Sequence, residues 1–149
     1  MIDKKIQGKK NRQAGARFEL KVRSDLESKG WIVDRWTNNV EIKTFIEQES
    51  TGETFIDKKD GKIIKEGKLI KAKSFMGRSR TNGFPDFIAF KSLHMGFIVQ
   101  GVECKSNGYL DKEEKEKCVW LLENNIFSKI LIAMKDKNKR GGIIYKEFV

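Results

Sequence analysis

Cysteine, histidine and proline are nearly missing from this chain, and each scarcity excludes something. Only two cysteines, Cys104 and Cys118, occur in 149 residues. Two thiols make neither a disulfide framework nor a zinc pattern. Both stand in apolar stretches, so they read as buried reduced thiols of a cytoplasmic, intracellular protein. His94 is the sole histidine; in "KSLHMG", between two apolar runs, it reads as a turn residue, and a zinc centre is not expected. No apolar run approaches the ~20 residues of a membrane-spanning helix. The N-terminus "MIDKKIQGKKNRQ" has no apolar core of a signal peptide. No membrane partner is expected.

What the chain does have is charge. Thirty-one Lys and Arg face 21 Asp and Glu, a formal net charge of +10, which favours a polyanionic partner, most commonly nucleic acid. The chain suits one domain with a real core, preceded over residues 1–11 by a basic flexible arm. A helix is expected from Arg12 to Lys29, where Ala14, Phe18, Val22 and Leu26 recur every four residues and Gly30 closes the C-terminus. "WIVDRW" (31–36) reads as the first strand. Residues 37–81 hold "VEIKTFIE", "ETFID" and "KIIKEGKLIKAKSF", with turns expected at "TGE", "KDGK" and "KEGK". They read as an inserted β-hairpin or small meander. Its apolar face should pack on its own domain or on a partner protomer, with Lys58, Lys59, Lys62, Lys65, Lys68, Lys71 and Lys73 outward. Strands at 87–90 and 97–104, a helix at 111–123, and strands at 129–135 and 141–149 complete the pattern. The order predicts an α/β fold, a mixed central sheet flanked by helices.

The chemistry concentrates in "NGFPDFIAFKSLHMGFIVQGVECKSNG", residues 82–108. Pro85 is the chain's one proline; it cannot donate to a central ladder, so it marks a strand start, with Asp86 immediately behind it. Strand alternation sends Glu103 and Lys105 to one face and Val102 and Cys104 to the other. If the two strands form a hairpin, Asp86 comes close to Glu103. Two carboxylates around an open space make an oxygen site for Mg²⁺, and a lysine beside them can hold or help deprotonate a water. A surface Glu–Lys pair on an edge strand is the plainer alternative.

Asp86, Glu103 and Lys105, in that order and each joined to an apolar strand, resemble the active site of the PD-(D/E)XK nuclease superfamily. "GFPDFIAF…GVECKSNGYLDKEE" is similar to two branches, the archaeal-type Holliday-junction resolvases and the virus-type replication-repair nuclease domains. Gly83, Pro85, Asp86, Glu103, Lys105, Gly108 and Leu110 match the second pattern. "GARFELKVRSDLESKGWIVDRW" resembles the resolvase opening, with Glu19 at the position of its helix acid. The resemblance covers residues 12–36 and 82–135 but not the insertion. It implies a restriction-endonuclease-like sheet and a Mg²⁺-dependent DNA endonuclease, with Mn²⁺ as a substitute. The first expectation is a junction resolvase acting on branched DNA as a homodimer in a prokaryotic or viral context. The alternatives are a nuclease of flaps, nicks or ends, and a non-catalytic basic DNA-binding protein.

On that resemblance Asp86 and Glu103 hold the metal with the Cys104 carbonyl as third ligand, Lys105 orients or activates water, and Glu19 assists. From its place in the helix alone, Glu19 would be a boundary carboxylate paired with Arg23. Glu114 stands where the virus-type pattern carries a glutamine and reads as a solvated helix acid. Arg12, Arg17, Arg78, Arg80, Ser106 and Asn107 are the expected DNA contacts, which position a backbone and read no sequence.

Overall fold

The computed structural model describes residues 4–47, 62–72 and 83–149. The expected strand "ETFID", the turn "TGE", most of "KDGK", and Lys58, Lys59, Lys73, Arg78 and Arg80 lie outside the described residues. Within them the chain is mixed α/β. Helix α1 (Lys4–Ser28) is followed by β1 (Ile32–Arg35), β2 (Asn38–Glu47), β3 (Lys62–Lys71), β4 (Phe87–Leu93) and β5 (Gly96–Cys104). Helix α2 (Lys112–Glu123), β6 (Lys129–Lys135) and β7 (Ile143–Glu147) complete it.

Five strands form one sheet in the order β1-β4-β5-β6-β7, while β2 and β3 pair separately. Among the described strands only β5 and β6 run parallel, because α2 carries the chain between them back to the start of the sheet. His94 occupies the β4–β5 turn, as its flanking apolar runs implied.

Strand alternation divides the core in two. Phe87 and Ala89 of β4, Val102 of β5 and Ala133 of β6 face α1, where Phe18, Val22 and Leu26 close over them. Ile88, Val99, Ile130 and Ile132 face the opposite way, toward Cys118 and Leu121 of α2. Cys118 is fully buried, and burial pushes its thiol up to about 12, so it stays a neutral packing group.

Three expectations are corrected. Residues 4–11 belong to α1 rather than to a flexible arm. Ala14 is exposed, for the first buried residue of the helix is Phe18. The C-terminus does end at Gly30, in the left-handed region at φ +82°, which glycine adopts without cost from a side chain.

The third correction concerns "KEGK", which is continuous strand, not a turn. Gly67 sits there for space: a Cβ would lie 2.0 Å from the Trp120 indole nitrogen of α2. A strand glycine marking a close approach is the physical reason the turn signal misleads. The hairpin packs on its own chain through Val40, Ile42 and Leu69. Lys65, Lys68 and Lys71 are exposed, and Lys65 reaches Glu116 of α2 at 2.5 Å. Lys68 is opposite Glu41, and Lys43 opposite Glu66, so much of the outer face carries matched charges.

Candidate active site at the carboxyl end of β5

The antiparallel register of β4 and β5 opposes Phe87 to Val102, which sets Asp86 opposite Glu103 at the ladder's end. Their carboxylates cross. Cys104 N–H donates to Asp86 Oδ2 at 2.8 Å, and Asp86 N–H donates to Glu103 Oε2 at 3.1 Å. Each acid is thus tied to the other's strand by a main-chain donor.

Glu103 is only 6% exposed. Its carboxyl is held well above the usual range, first by burial and then by the Asp86 charge, against a smaller opposing pull from Lys105. Asp86 is raised to about 6, again chiefly by burial, with a contribution from Glu19. Two desolvated like charges at close quarters are a standing cost that a bound cation would relieve.

The Lys105 ammonium lies 3.5 Å from Glu103 Oε1 and is bound more tightly by Glu114 Oε1. Burial opposes its charge, but Glu114 and Glu103 outweigh that and raise its pKa. Its two carboxylate neighbours thus hold Lys105 as an ammonium, a cation and hydrogen-bond donor at the edge of the acid pair. The expectation that Glu114 is a solvated acid is corrected. Its side chain is 18% exposed, and it occupies the third position of a capping box. Asp111 accepts the Glu114 N–H at 2.8 Å, and Glu114 Oε2 accepts the Asp111 N–H at 3.0 Å. That turns the carboxylate back over the helix start and leaves Oε1 for Lys105. "DKEE" carried the signal, because a capping-box Glu at this position folds inward.

Glu19 does not pair with Arg23, which takes Glu27 at 2.9 Å. It meets Arg35 of β1 at 3.3 Å, and Arg35 is opposite Phe87 in the sheet, the residue after Asp86. Nothing in the spacing of the sequence signalled Arg35. The Cys104 thiol turns to the α1 face. Burial and the surrounding carboxylates push it far up, so it is protonated, and only its carbonyl remains for a hard cation.

Ser106 and Asn107 lie exposed just past β5. The Ser106 carbonyl accepts the Lys135 N–H at 3.2 Å, and Asn107 Oδ1 the Tyr109 N–H at 3.1 Å. Arg12 and Arg17 are exposed on α1. The structure thus brings together Asp86, Glu103, Cys104 and Lys105, sets Glu19 beside them through Arg35, and adds Glu114.

Among the described residues no cluster of three or more His, Cys, Asp or Glu side chains is shaped to hold a metal ion. The donors at hand are two carboxylates and a main-chain carbonyl, a set that suits a cation completing its shell with water and phosphate oxygens. No described helix is long and apolar enough to cross a membrane. Comparison with protein-family models, characterised proteins and solved structures finds no match to this chain.

Proposed function

We propose that this chain is a metal-dependent DNA endonuclease of the PD-(D/E)XK kind, built on a restriction-endonuclease-like sheet. The observation that supports it most is the crossed pair Asp86–Glu103 at the open end of the β4–β5 hairpin, half-buried and buried respectively, repelling, with the Lys105 ammonium against Glu103. An edge ion pair of structural type would not place two desolvated acids together.

Asp86, Glu103 and the Cys104 carbonyl are the groups that would hold Mg²⁺ or Mn²⁺. Bound there, the ion would supply positive charge to a scissile phosphate as negative charge builds on it. Lys105, kept charged by Glu114, donates toward the phosphate or the attacking water and fixes its approach. Glu19, tied to Arg35, sets the field at Asp86 from the other face of the sheet. The overall change is hydrolysis: a water oxygen forms a new bond to phosphorus and one ester P–O bond breaks.

The net charge of +10 fits a polyanionic substrate. A four-way junction cut by a homodimer is the first substrate to test. The experiment incubates the protein with labelled four-way, flapped, nicked and linear DNA, with Mg²⁺ and with chelator. Mg²⁺-dependent cleavage of any of them supports the nuclease, and the order of preference identifies its substrate. No cleavage of any leaves the basic DNA-binding alternative.

A further inference from the structure

The N-terminal half of α1 is strongly basic and holds no buried residue. From Lys4 to Arg17 the sequence holds six Lys and Arg and no Asp or Glu. No residue of that stretch is buried; the helix begins to pack only at Phe18. Its first turn carries no acid, so the cations face the positive end of the helix dipole. Lys9, Lys10, Arg12 and Arg17 make no ion pair among the described residues. Two glycines, Gly8 and Gly15, further weaken the helix.

Those glycines are not explained by packing either. A Cβ built on Gly8 or Gly15 meets nothing within 4 Å. Their position on the helix is informative. The buried stripe Leu26, Val22, Phe18 continues N-terminally, in steps of three and four, through Gly15, Asn11 and Gly8 to Lys4, with Arg12 beside it. The face that packs on the sheet at Phe18, Val22 and Leu26 is thus continued by residues of which none is buried, two of them glycines, edged with cations.

That overhang begins at the candidate site. Glu19, next to Phe18, meets Arg35 at 3.3 Å, and the Trp36 N–H donates to the Asp86 carbonyl at 3.1 Å. On the other flank of Phe18, Lys21 and Lys135 line a cleft of about 230 Å³ with Asp136, whose Oδ1 is occupied by the Asn138 N–H at 2.8 Å. Neither lysine has an ion-pair partner among the described residues.

We infer that the projecting half of α1 is a duplex-DNA clamp, which lays its Gly8–Arg12–Gly15 face against the phosphate backbone next to the scissile position. The glycines admit the backbone to van der Waals distance of the helix, and the flanking cations neutralise its phosphates. The polyanion supplies an ion-pair partner for Lys9, Lys10, Arg12 and Arg17. Residues 4–17 extend about 21 Å, or about six base pairs at ~3.4 Å each. Substrate must therefore be double-stranded for about that distance on one side of the cut. The inference rests on the nuclease reading for the location of the cut, but the contact itself is measurable without cleavage.

The test compares Gly15→Leu and Gly8→Leu with Gly15→Ala and Gly8→Ala. All four raise intrinsic helicity, and circular dichroism with thermal melting confirms folding. Binding is read in chelator by fluorescence anisotropy, on a duplex about twice the arm's length and on the matching single strand. The leucine variants should lose roughly tenfold in duplex affinity while the alanine variants keep theirs. Arg12→Gln should flatten the log–log salt slope by about one. The inference is overturned if Gly15→Leu binds duplex as wild type does, or if single strand and duplex weaken alike. Wild-type cleavage is scored separately. Cleavage with an insensitive Gly15→Leu removes the clamp and leaves the nuclease. No cleavage with a leucine-sensitive duplex complex removes the nuclease and leaves the clamp.

Discussion

Glu103 Oε2 accepts the Asp86 N–H at 3.1 Å while Asp86 Oδ2 accepts the Cys104 N–H at 2.8 Å. This crossed clasp holds two acids where the protein alone gains nothing from their charge. Asp86→Asn keeps an oxygen for the Cys104 N–H and removes the charge. Without metal, above pH 6, the variant should be more stable than wild type, by on the order of 1–3 kcal/mol. The sign follows from the raised pKa. The folded state holds its proton up to about pH 6 while the unfolded chain releases it in the ordinary carboxylate range. Wild type therefore loses stability as pH rises between them, and the variant does not. Cleavage should vanish and duplex binding persist. Thermal melts in chelator at two pH values, with a cleavage assay, check both; a destabilised variant at pH 8 contradicts the electrostatic account.

Glu114 has two duties, and two substitutions separate them. Glu114→Gln retains an oxygen for the Asp111 N–H but gives up the charge that holds Lys105. Glu114→Ala loses both and should cost about 1 kcal/mol more from the broken cap. Cleavage should fall by roughly tenfold in each, because Lys105 is freed rather than removed. Equal melting temperatures for the two variants would contradict the capping role. Unchanged cleavage in both would show that Lys105 needs no anchor.

The sheet and the core were legible because their signals are local. The apolar runs "FIAF", "FIVQGVEC" and "KILIAMK" placed β4, β5 and β6, and the order of Asp86, Glu103 and Lys105 marked the candidate site. What stayed hidden depended on contacts between distant elements. Ala14 kept the four-residue rhythm of Phe18, Val22 and Leu26, yet the sheet ends before reaching it. The basic stretch 4–11 has no apolar stripe and so read as flexible, although it is helical. Arg35 reaches Glu19 only once β1 lies beside α1. Glu114 was misread for another reason: charge on a helix defaults to solvent unless the cap is weighed first.

A pH effect is expected away from the site as well. Asp25 Oδ2 accepts both the Tyr145 hydroxyl at 2.6 Å and the Lys29 ammonium at 2.7 Å. Burial alone would raise the Asp25 pKa, but these two donors outweigh it and the net shift is downward. A depressed carboxyl contributes stability that is present above its unfolded pKa and is lost as pH falls through the folded value. Tyr145→Phe removes one donor, so it should cost about 1 kcal/mol near neutrality, and the gap should close in acid. Denaturation followed from pH 7 down to pH 2 measures this. A gap that widens in acid would reverse the sign of the argument.

Gly67 fixes how the β2–β3 hairpin sits on the body. A Cβ there would stand 2.0 Å from Trp120 Nε1 and 2.1 Å from Trp120 Cδ1, well inside contact distance, so either the indole or the strand must move. The indole belongs to the cluster that also holds Val40, Ile42 and Leu69, and a two-stranded hairpin has little stability without such a face. Gly67→Ala should therefore destabilise the protein by about 1–3 kcal/mol through overpacking, and Gly67→Leu by more. Trp120 should become more solvent-exposed, shifting the emission spectrum to the red, and β2–β3 amides should exchange faster than those of β4 and β5. Asp86 and Glu103 are held by the separate β4–β5 ladder. Metal binding by the Gly67→Ala protein, measured by calorimetry below its melting temperature, should stay close to wild type. If that binding is lost while the five-stranded sheet keeps its slow exchange, the hairpin supports the site directly, and the two sheets do not divide their tasks as the register indicates.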